Sequence, residues 1–367
     1  MVSEQVKAQL LAKNEKLIDM VIERAKRDFP DDIAIIGLTG SFTTGDYHEK
    51  SDLDLIIINN TPEGWGIAAG FILDDVGYDL YCTPWDTRIH DESTLESPMV
   101  SSLVDLVILY CASPEDMERF ESYRQRALSE LAKPIGRPCL ERAKAWIDRA
   151  KQCYADAMLG EGVGAVRHAA GGVLYHAVNA IVNMNNTYIK RGIRRYLEEL
   201  SAYPHLPNDF ERLYRAVIEA HDVDALRVAA RALLGAVIAL RDEMWNQFVE
   251  KTVPTYENLW GTYEEMWSNY RNKVLMCADG SDVAYAFQVA LSAQEGFDET
   301  ARMCGTPRVD LMQHFDAKDL TKFRDAFLQG LDIYLNEYSN VGREVARYAA
   351  FDALYARYMA KEEGGDG

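Results

Sequence analysis

TGSFTTGDYHEKSDLDLIIIN, residues 39–59, decides how this chain is read. An apolar run, 33–38, ends just before Gly40-Ser41, and ten residues separate Ser41 from Asp52. Asp52-Leu53-Asp54 then leads straight into Leu55-Ile56-Ile57-Ile58. Side chains alternate along a strand, so Asp52 and Asp54 share one face, and Leu53, Leu55 and Ile57 take the other. Neighbouring carboxylates repel unless a cation sits between them. The pair is therefore either the solvated edge of a strand or a metal site, and hard oxygen ligands favour Mg²⁺ or Mn²⁺ over Zn²⁺.

A third acid follows at Asp79, in Gly77-Tyr78-Asp79-Leu80-Tyr81-Cys82. A strand over 77–82 paired beside 53–58 brings Asp79 next to the first two. Three carboxylates on two strands can hold two metal ions about 4 Å apart, the arrangement of phosphoryl-type displacement. The plainer alternative is a turn-capping aspartate at a strand start and an exposed strand residue at 79. Upstream, Gly40 permits a tight turn, and Ser41 stands where a helix begins. A hydroxyl and a backbone N–H there suit a phosphate, and they equally suit a helix cap.

Outward from this stretch, residues 4–28 carry apolar positions at helical spacing and stop at Pro30. Strands are expected at 33–38, 53–58, 68–73 and 77–82, the last two as a hairpin with a Gly-containing loop. From 101 onward the pattern turns helical, at 101–111, 114–131, 138–159, 163–185, 190–201, 208–219, 222–250, 262–277, 281–303, 317–337 and 341–360, punctuated by prolines. The expected class is α+β: a small mixed-sheet α/β domain over 1–100, a helical bundle over 101–252, and a further helical region over 253–367. Tyrosines and tryptophans recur every three or four residues in the late helices, as core packing does. An aromatic wall for a ligand is the alternative. The acidic, Gly-rich tail 362–367 reads as disordered.

The length, 367 residues, calls for two or three domains. A net charge of −19 opposes binding to duplex nucleic acid and suits a cationic partner or simple solubility. Six cysteines without a C-x-x-C pair read as reduced packing residues rather than a disulfide frame or zinc site. No signal-peptide pattern and no membrane-length apolar run is present, so a cytoplasmic protein without membrane attachment is expected.

Leu38-Thr39-Gly40-Ser41, then Ser51-Asp52-Leu53-Asp54, then Asp79 on a strand resembles the nucleotidyltransferase superfamily that includes DNA polymerase beta. The helical half, with Asn185-Asn186-Thr187-Tyr188-Ile189-Lys190-Arg191-Gly192 and a Leu-Pro loop at 206–207, is similar to the kanamycin (aminoglycoside) nucleotidyltransferases. The resemblance covers 33–83 closely and 138–250 loosely, and nothing in 255–367. It implies a transferase that moves a nucleoside monophosphate from an NTP, with ATP the expected donor, to a hydroxyl of a small acceptor such as an aminoglycoside, hence antibiotic resistance. Gly40 and Ser41 then bind the triphosphate, Asp52 and Asp54 bind magnesium, and Asp79 completes the site or acts as base. Asp148 is the candidate base from the helical domain, with Glu141 near it; both also read as surface acids. Relatives carry Arg or Lys three residues after the Ser, where this chain has Thr44. The missing charge is sought in Lys50, or in Lys190, Arg191, Arg194 or Arg195. Homodimers with shared sites are compatible with such helical domains. The rival is a non-catalytic nucleotide-binding or antitoxin-like module whose helices bind a partner protein; a metal-dependent hydrolase or sugar transferase is a third reading, opposed by the Gly-Ser turn.

Overall fold

A computed structural model describes residues 4–279 and 282–360. The chain divides into two compact units, residues 1–249 and 250–367. The tail 362–367 lies outside the described residues.

The first unit is built on two strands that the apolar runs predict: β1 (Ile33–Leu38) and β2 (Leu55–Asn59). They pair antiparallel, with Leu38 opposite Leu55 and Ile36 opposite Ile57. Ile33, Ile36, Leu55 and Ile57 enter one core; Ala34, Ile35, Ile56 and Ile58 enter another. Burial on both faces is why these strands read as unbroken apolar runs rather than alternating ones. Helix α1 (Glu4–Asp28) covers the first face through Leu17, Val21 and Ala25.

Three strand expectations are corrected. The hairpin β3 (Ala69–Leu73) and β4 (Val76–Leu80) turns on Asp74 and Asp75, at φ 52° and 58°. Aspartate tolerates the left-handed region that a two-residue hairpin turn requires. Gly77 therefore lies inside β4, opposite Ile72, and not in the loop. The expected strand 77–82 is really two, because β5 (Cys82–Pro84) leaves the hairpin to run parallel to β2, with Cys82 beside Ile57. Beyond the short helices α3 (His90–Ser93) and α4 (Ser101–Val104), β6 (Val107–Cys111) replaces the expected helix and pairs antiparallel with β1. A five-residue apolar run suits strand or helix equally; here the free edge of β1 decides. The sheet order is β5-β2-β1-β6, and β6 carries it past residue 100, where the first domain was expected to end.

The second face of the sheet is closed by Phe120 and Ala127 of α5 (Pro114–Leu131), with Trp85, Ile89 and Leu103. Proline at its first position and the Ser113 hydroxyl accepting from the Asp116 N–H (3.0 Å) start this helix. A helical core follows from α6 (Arg137–Leu159), α7 (Val163–Met184), α8 (Tyr196–Leu200), α9 (Phe210–Glu219) and α10 (Val223–Phe248). The expected helix 190–201 is shorter, since Gly192 turns at φ 73° and a single 3₁₀ turn, Ile193–Arg195, precedes α8.

The second unit holds α11 (Thr262–Met266), α12 (Asn272–Asp279), α13 (Val283–Cys304), α14 (Thr321–Asn340) and α15 (Phe351–Met359). A five-residue π turn, Trp267–Arg271, links α11 and α12. Tyr263, Tyr334 and Tyr338 pack ring to ring at centroid distances of 5.6–5.9 Å inside its core. The Tyr338 hydroxyl donates to the Leu259 carbonyl (2.6 Å) and accepts from the Tyr263 N–H (2.9 Å). These three rings are core, not a ligand wall. All six cysteines are free. Among the described residues no helix is long and apolar enough to cross a membrane.

Candidate functional site

The Gly-Ser turn continues the β1–β2 ladder by one bond, from the Thr39 N–H to the Asp54 carbonyl (3.0 Å). Gly40 then turns at φ 75°, a conformation that glycine adopts without penalty. It is needed a second time for space, because a β-carbon there would stand 1.9 Å from Asp54 Oδ2. Ser41 opens α2 (Ser41–Thr44), a single turn closed by Gly45 in the left-handed region. Gly40 is the cap residue and has no side chain to offer, so Ser41 is not the cap. The Thr43 hydroxyl donates to the Gly40 carbonyl (2.8 Å), and the Thr44 hydroxyl reaches the Gly40 and Ser41 carbonyls (3.4 and 3.3 Å). Among the described residues the Ser41 hydroxyl has no hydrogen-bond partner.

The carboxylate pair is set by the same strand. Ser51 is buried and closes a loop with His48, donating its N–H to the His48 carbonyl (3.0 Å) and accepting the His48 N–H on its hydroxyl (2.9 Å). Leu53 points into the core at 3% exposure while Asp52 and Asp54 are exposed on the opposite side. Although Asp54 as a residue is exposed, its carboxylate lies against the Gly40 backbone. That burial, and next the charge of Asp52, raise its pKa; the facing Ser41 N–H pulls the other way. Two carboxylates are thus held close, and among the described residues no cation side chain figures in the Asp54 shift, which is the electrostatic demand of a metal pair.

Asp79 sits on β4 with its face exposed, while Tyr78 and Leu80 are buried beside Leu55 and Ile57. Asp79 pairs with Gly70 across the β3–β4 hairpin, which is a sheet separate from the one that contains β2. The carboxylates do not meet as a trio, however. Among the described residues no group of three or more His, Cys, Asp or Glu is placed to hold a metal ion. Asp52 and Asp54 thus lie together just before β2, and Asp79 lies on β4 of the hairpin.

The helical half reaches this site through one acid that sequence reading missed. Asp46, whose N–H donates to the Ser41 carbonyl (3.1 Å), accepts paired bonds from Arg191 (2.8 and 2.9 Å) and Arg195 (3.0 and 2.6 Å). Those bonds, Arg191 first and then Arg195, hold its carboxyl down at about 2. Glu199 fixes the backbone, accepting the N–H groups of Lys190 (2.8 Å) and Arg191 (2.5 Å). Tyr188 packs in the same core as Ile56 and Ile58.

A second missed network stands two residues after Asp79. The Tyr81 hydroxyl accepts from Arg88, whose Nε donates to Glu92 (2.8 Å). Glu92 is fully buried and also accepts from the Ser102 hydroxyl (2.7 Å). Burial raises its pKa against the pull of Ser102 and Arg88. The Arg88–Glu92 spacing of four was the only available signal, and it is that of an ordinary surface pair.

Asp148 is tied by Lys144 (2.6 Å) and Lys151 (3.1 Å) on α6. The Lys144 bond chiefly lowers its pKa, which is the wrong direction for a general base. Glu141 is exposed on the same helix. Lys50 is exposed; its N–H donates to His48 Nδ1 (3.1 Å), and among the described residues its ammonium has no partner.

A search of curated proteins finds no match. Among solved structures, the chain is similar to a nucleotidyltransferase-like protein from Exiguobacterium sibiricum 255-15, with 10% identity and a TM-score of 0.37 over 79% of this chain and 93% of that one. Residues 18–79 match the family model described as nucleotidyltransferase domain. That span, similar to a nucleotidyltransferase domain, contains Gly40, Ser41, Asp52, Asp54 and Asp79.

Proposed function

We propose that this protein transfers a nucleoside monophosphate from an NTP, with ATP as donor, to a hydroxyl of a small acceptor. The observation that carries the reading is the Asp52–Asp54 pair packed on the Gly40–Ser41 turn, with the Asp54 pKa raised by burial and by its neighbour's charge. Asp52 and Asp54 fit a hard divalent cation such as Mg²⁺ or Mn²⁺. When bound, such an ion supplies charge neutralisation for the transferring phosphoryl group. The Ser41 hydroxyl is free to hold a phosphate oxygen. Asp79, on β4 of the hairpin, is the side chain assigned to take the proton of the acceptor hydroxyl. In the balanced step the acceptor oxygen bonds to the α-phosphorus, the bond from that phosphorus to the bridging oxygen breaks, and pyrophosphate leaves.

A cationic acceptor of the aminoglycoside type suits a chain of net charge −19. The test incubates the protein with Mg²⁺, ATP labelled at its α-phosphate and a panel of aminoglycosides. Pyrophosphate release and a labelled acceptor are expected, both lost in Asp52→Asn and Asp54→Asn. Turnover that survives both substitutions removes the reading. Metal-dependent ATP binding without turnover on any acceptor favours the nucleotide-binding module instead.

A further inference from the structure

No residue of α15 (Phe351–Met359) is buried. Phe351, Leu354, Tyr355, Tyr358 and Met359 nevertheless recur at helical spacing and form one stripe along it. That stripe faces solvent: Phe351 is 73% exposed, Tyr355 56% and Tyr358 83%. Asp352, Ala353, Ala356 and Arg357 fill the other side. Among the described residues, no hydrogen bond, ion pair or ring contact joins α15 to another element of its unit; the Phe351 ring meets only that of Tyr355, within the helix (6.1 Å).

The helix nevertheless grows from a fixed root. Val341 and Val345 pack against the core of the second unit. Arg343 Nε donates to the Tyr256 carbonyl (2.8 Å), and its guanidinium lies 3.9 Å from the Tyr256 ring centroid. The Ala346 N–H donates to Glu264 Oε1 (2.7 Å), and Arg347 lies 4.5 Å from the Trp267 ring centroid. Beyond it every residue from Tyr348 to Ala360 is exposed. A helix of nine residues does not persist alone in water, where those shorter than about 12–15 residues are marginal and draw their stability from an apolar face packed on something. Thus α15 has the pattern of a packed helix, and its own unit gives it nothing to pack on.

Charge, symmetry and area identify the cover. At a net charge of −19, copies of this chain repel one another over most of their surface. Residues 341–360 escape that, with Arg343, Arg347 and Arg357 set against Glu344 and Asp352. Two copies can therefore meet here without a charge penalty. The stripe is also self-complementary. A two-fold axis between Leu354 and Tyr355 sets Phe351 against Tyr358 of the partner subunit, and Leu354 against Tyr355 of the partner subunit, with the helix dipoles opposed. A covered aromatic side chain buries roughly 150–250 Å². At these exposures the stripe offers about 500 Å² per copy, so two copies bury about 1,000 Å², the size at which a specific but reversible interface begins.

We propose that α15 is a self-association arm: a second copy of this chain covers its aromatic stripe, the two α15 helices packing antiparallel about a two-fold axis. The surface belongs to the second unit, outside the residues 18–79 that match the family model, and it stands whether or not the protein transfers nucleotides.

Sedimentation equilibrium of the full chain across micromolar concentrations tests this. A mass that rises with concentration toward that of two chains is expected, and Leu354→Asp/Tyr355→Asp is expected to stay at the mass of one. Neither residue touches another element of its unit, so at low concentration this variant is expected to melt like wild type. Leu354→Cys gives a second, milder test. The axis brings position 354 of the two copies together, so mild oxidation is expected to crosslink them, whereas Ala353→Cys, on the opposite side, is expected to remain at the background set by the six cysteines of wild type. Wild type that stays a single chain at every concentration overturns the inference. A dimer that survives Leu354→Asp/Tyr355→Asp overturns it as well, by placing the contact elsewhere. A dimer lost in that variant but not crosslinked through Leu354→Cys overturns the antiparallel pairing.

Discussion

Asp54 Oδ2 occupies the space beside Gly40 so closely that a β-carbon on Gly40 would lie 1.9 Å from it. The phosphate turn and the carboxylate pair are therefore one packing unit. Gly45, five residues on, also has a positive φ, 77°, but lies in the left-handed helical region at ψ 8° with open space around it. The two glycines separate conformational strain from steric displacement. Gly45→Ala is expected to cost about 1–2 kcal/mol of stability with activity largely kept. Gly40→Ala meets backbone strain of its own, at φ 75° and ψ −149°, and also drives Asp54 from its place. A misplacement of order 1 Å at a reacting centre is worth about 100-fold in rate. Thermal melting and turnover of the two variants side by side check this; equal activity losses would contradict it.

Asp54 is strained for function, and removing its charge should stabilise the fold. Its folded pKa lies above the unfolded value of about 3.9, so it binds its proton more tightly when folded. The penalty is absent below about pH 4 and fully present once the pH exceeds the folded pKa. Asp54→Asn is expected to raise the melting temperature at pH 7, with the gain disappearing as the pH falls toward 4. Mg²⁺ is expected to raise the wild-type melting temperature and leave the variant unmoved. Calorimetry with and without Mg²⁺ reads both effects, and a less stable Asp54→Asn at pH 7 would count against the strained pair.

Asp46 has the opposite sign. Held at about 2 by Arg191 and Arg195, it contributes stability that is fully present above about pH 4 and is lost as pH falls toward 2. Asp46→Asn is expected to loosen residues 188–200 at neutral pH, with faster amide exchange there and faster tryptic cleavage after Lys190 to Arg195. Near pH 2, exchange in variant and wild type should converge. Lys at 191 would not substitute, because the bond is paired and planar. Equal protection of this segment at pH 7 in both proteins would show that Asp46 does not anchor it.

What could be read from the sequence follows how local each signal is. β1 was legible at both ends, because an apolar run stops at a glycine turn. The aspartate pair was legible because alternation across a strand needs only three residues. β6 was not, since Val107–Cys111 acquires its identity from the edge of β1. Asp46 gave no sign at all: its partners lie 145 and 149 residues away, and only the folded chain brings Arg191 and Arg195 to it.

The buried Arg88–Glu92 pair behind Tyr81 gives the last prediction. Glu92 is fully buried, with one oxygen bonded to Arg88 and Ser102 and the other, Oε2, unpartnered. Removing Arg88 leaves a buried carboxylate without its counter-charge, and breaking such a pair costs about 3–5 kcal/mol. Arg88→Met is expected to fall in that range at pH 7. Burial already raises the Glu92 pKa, and losing Arg88 raises it further, so in the variant the group takes up a proton as pH falls. The variant's deficit is therefore expected to shrink between pH 7 and pH 5, where wild type changes little. Arg88→Met/Glu92→Leu should be less destabilised than Arg88→Met alone, because no charge is then stranded. Urea unfolding of the three proteins at both pH values measures this. A double variant as unstable as the single one would mean that the Tyr81 and Ser102 contacts, rather than the buried charge, set the cost.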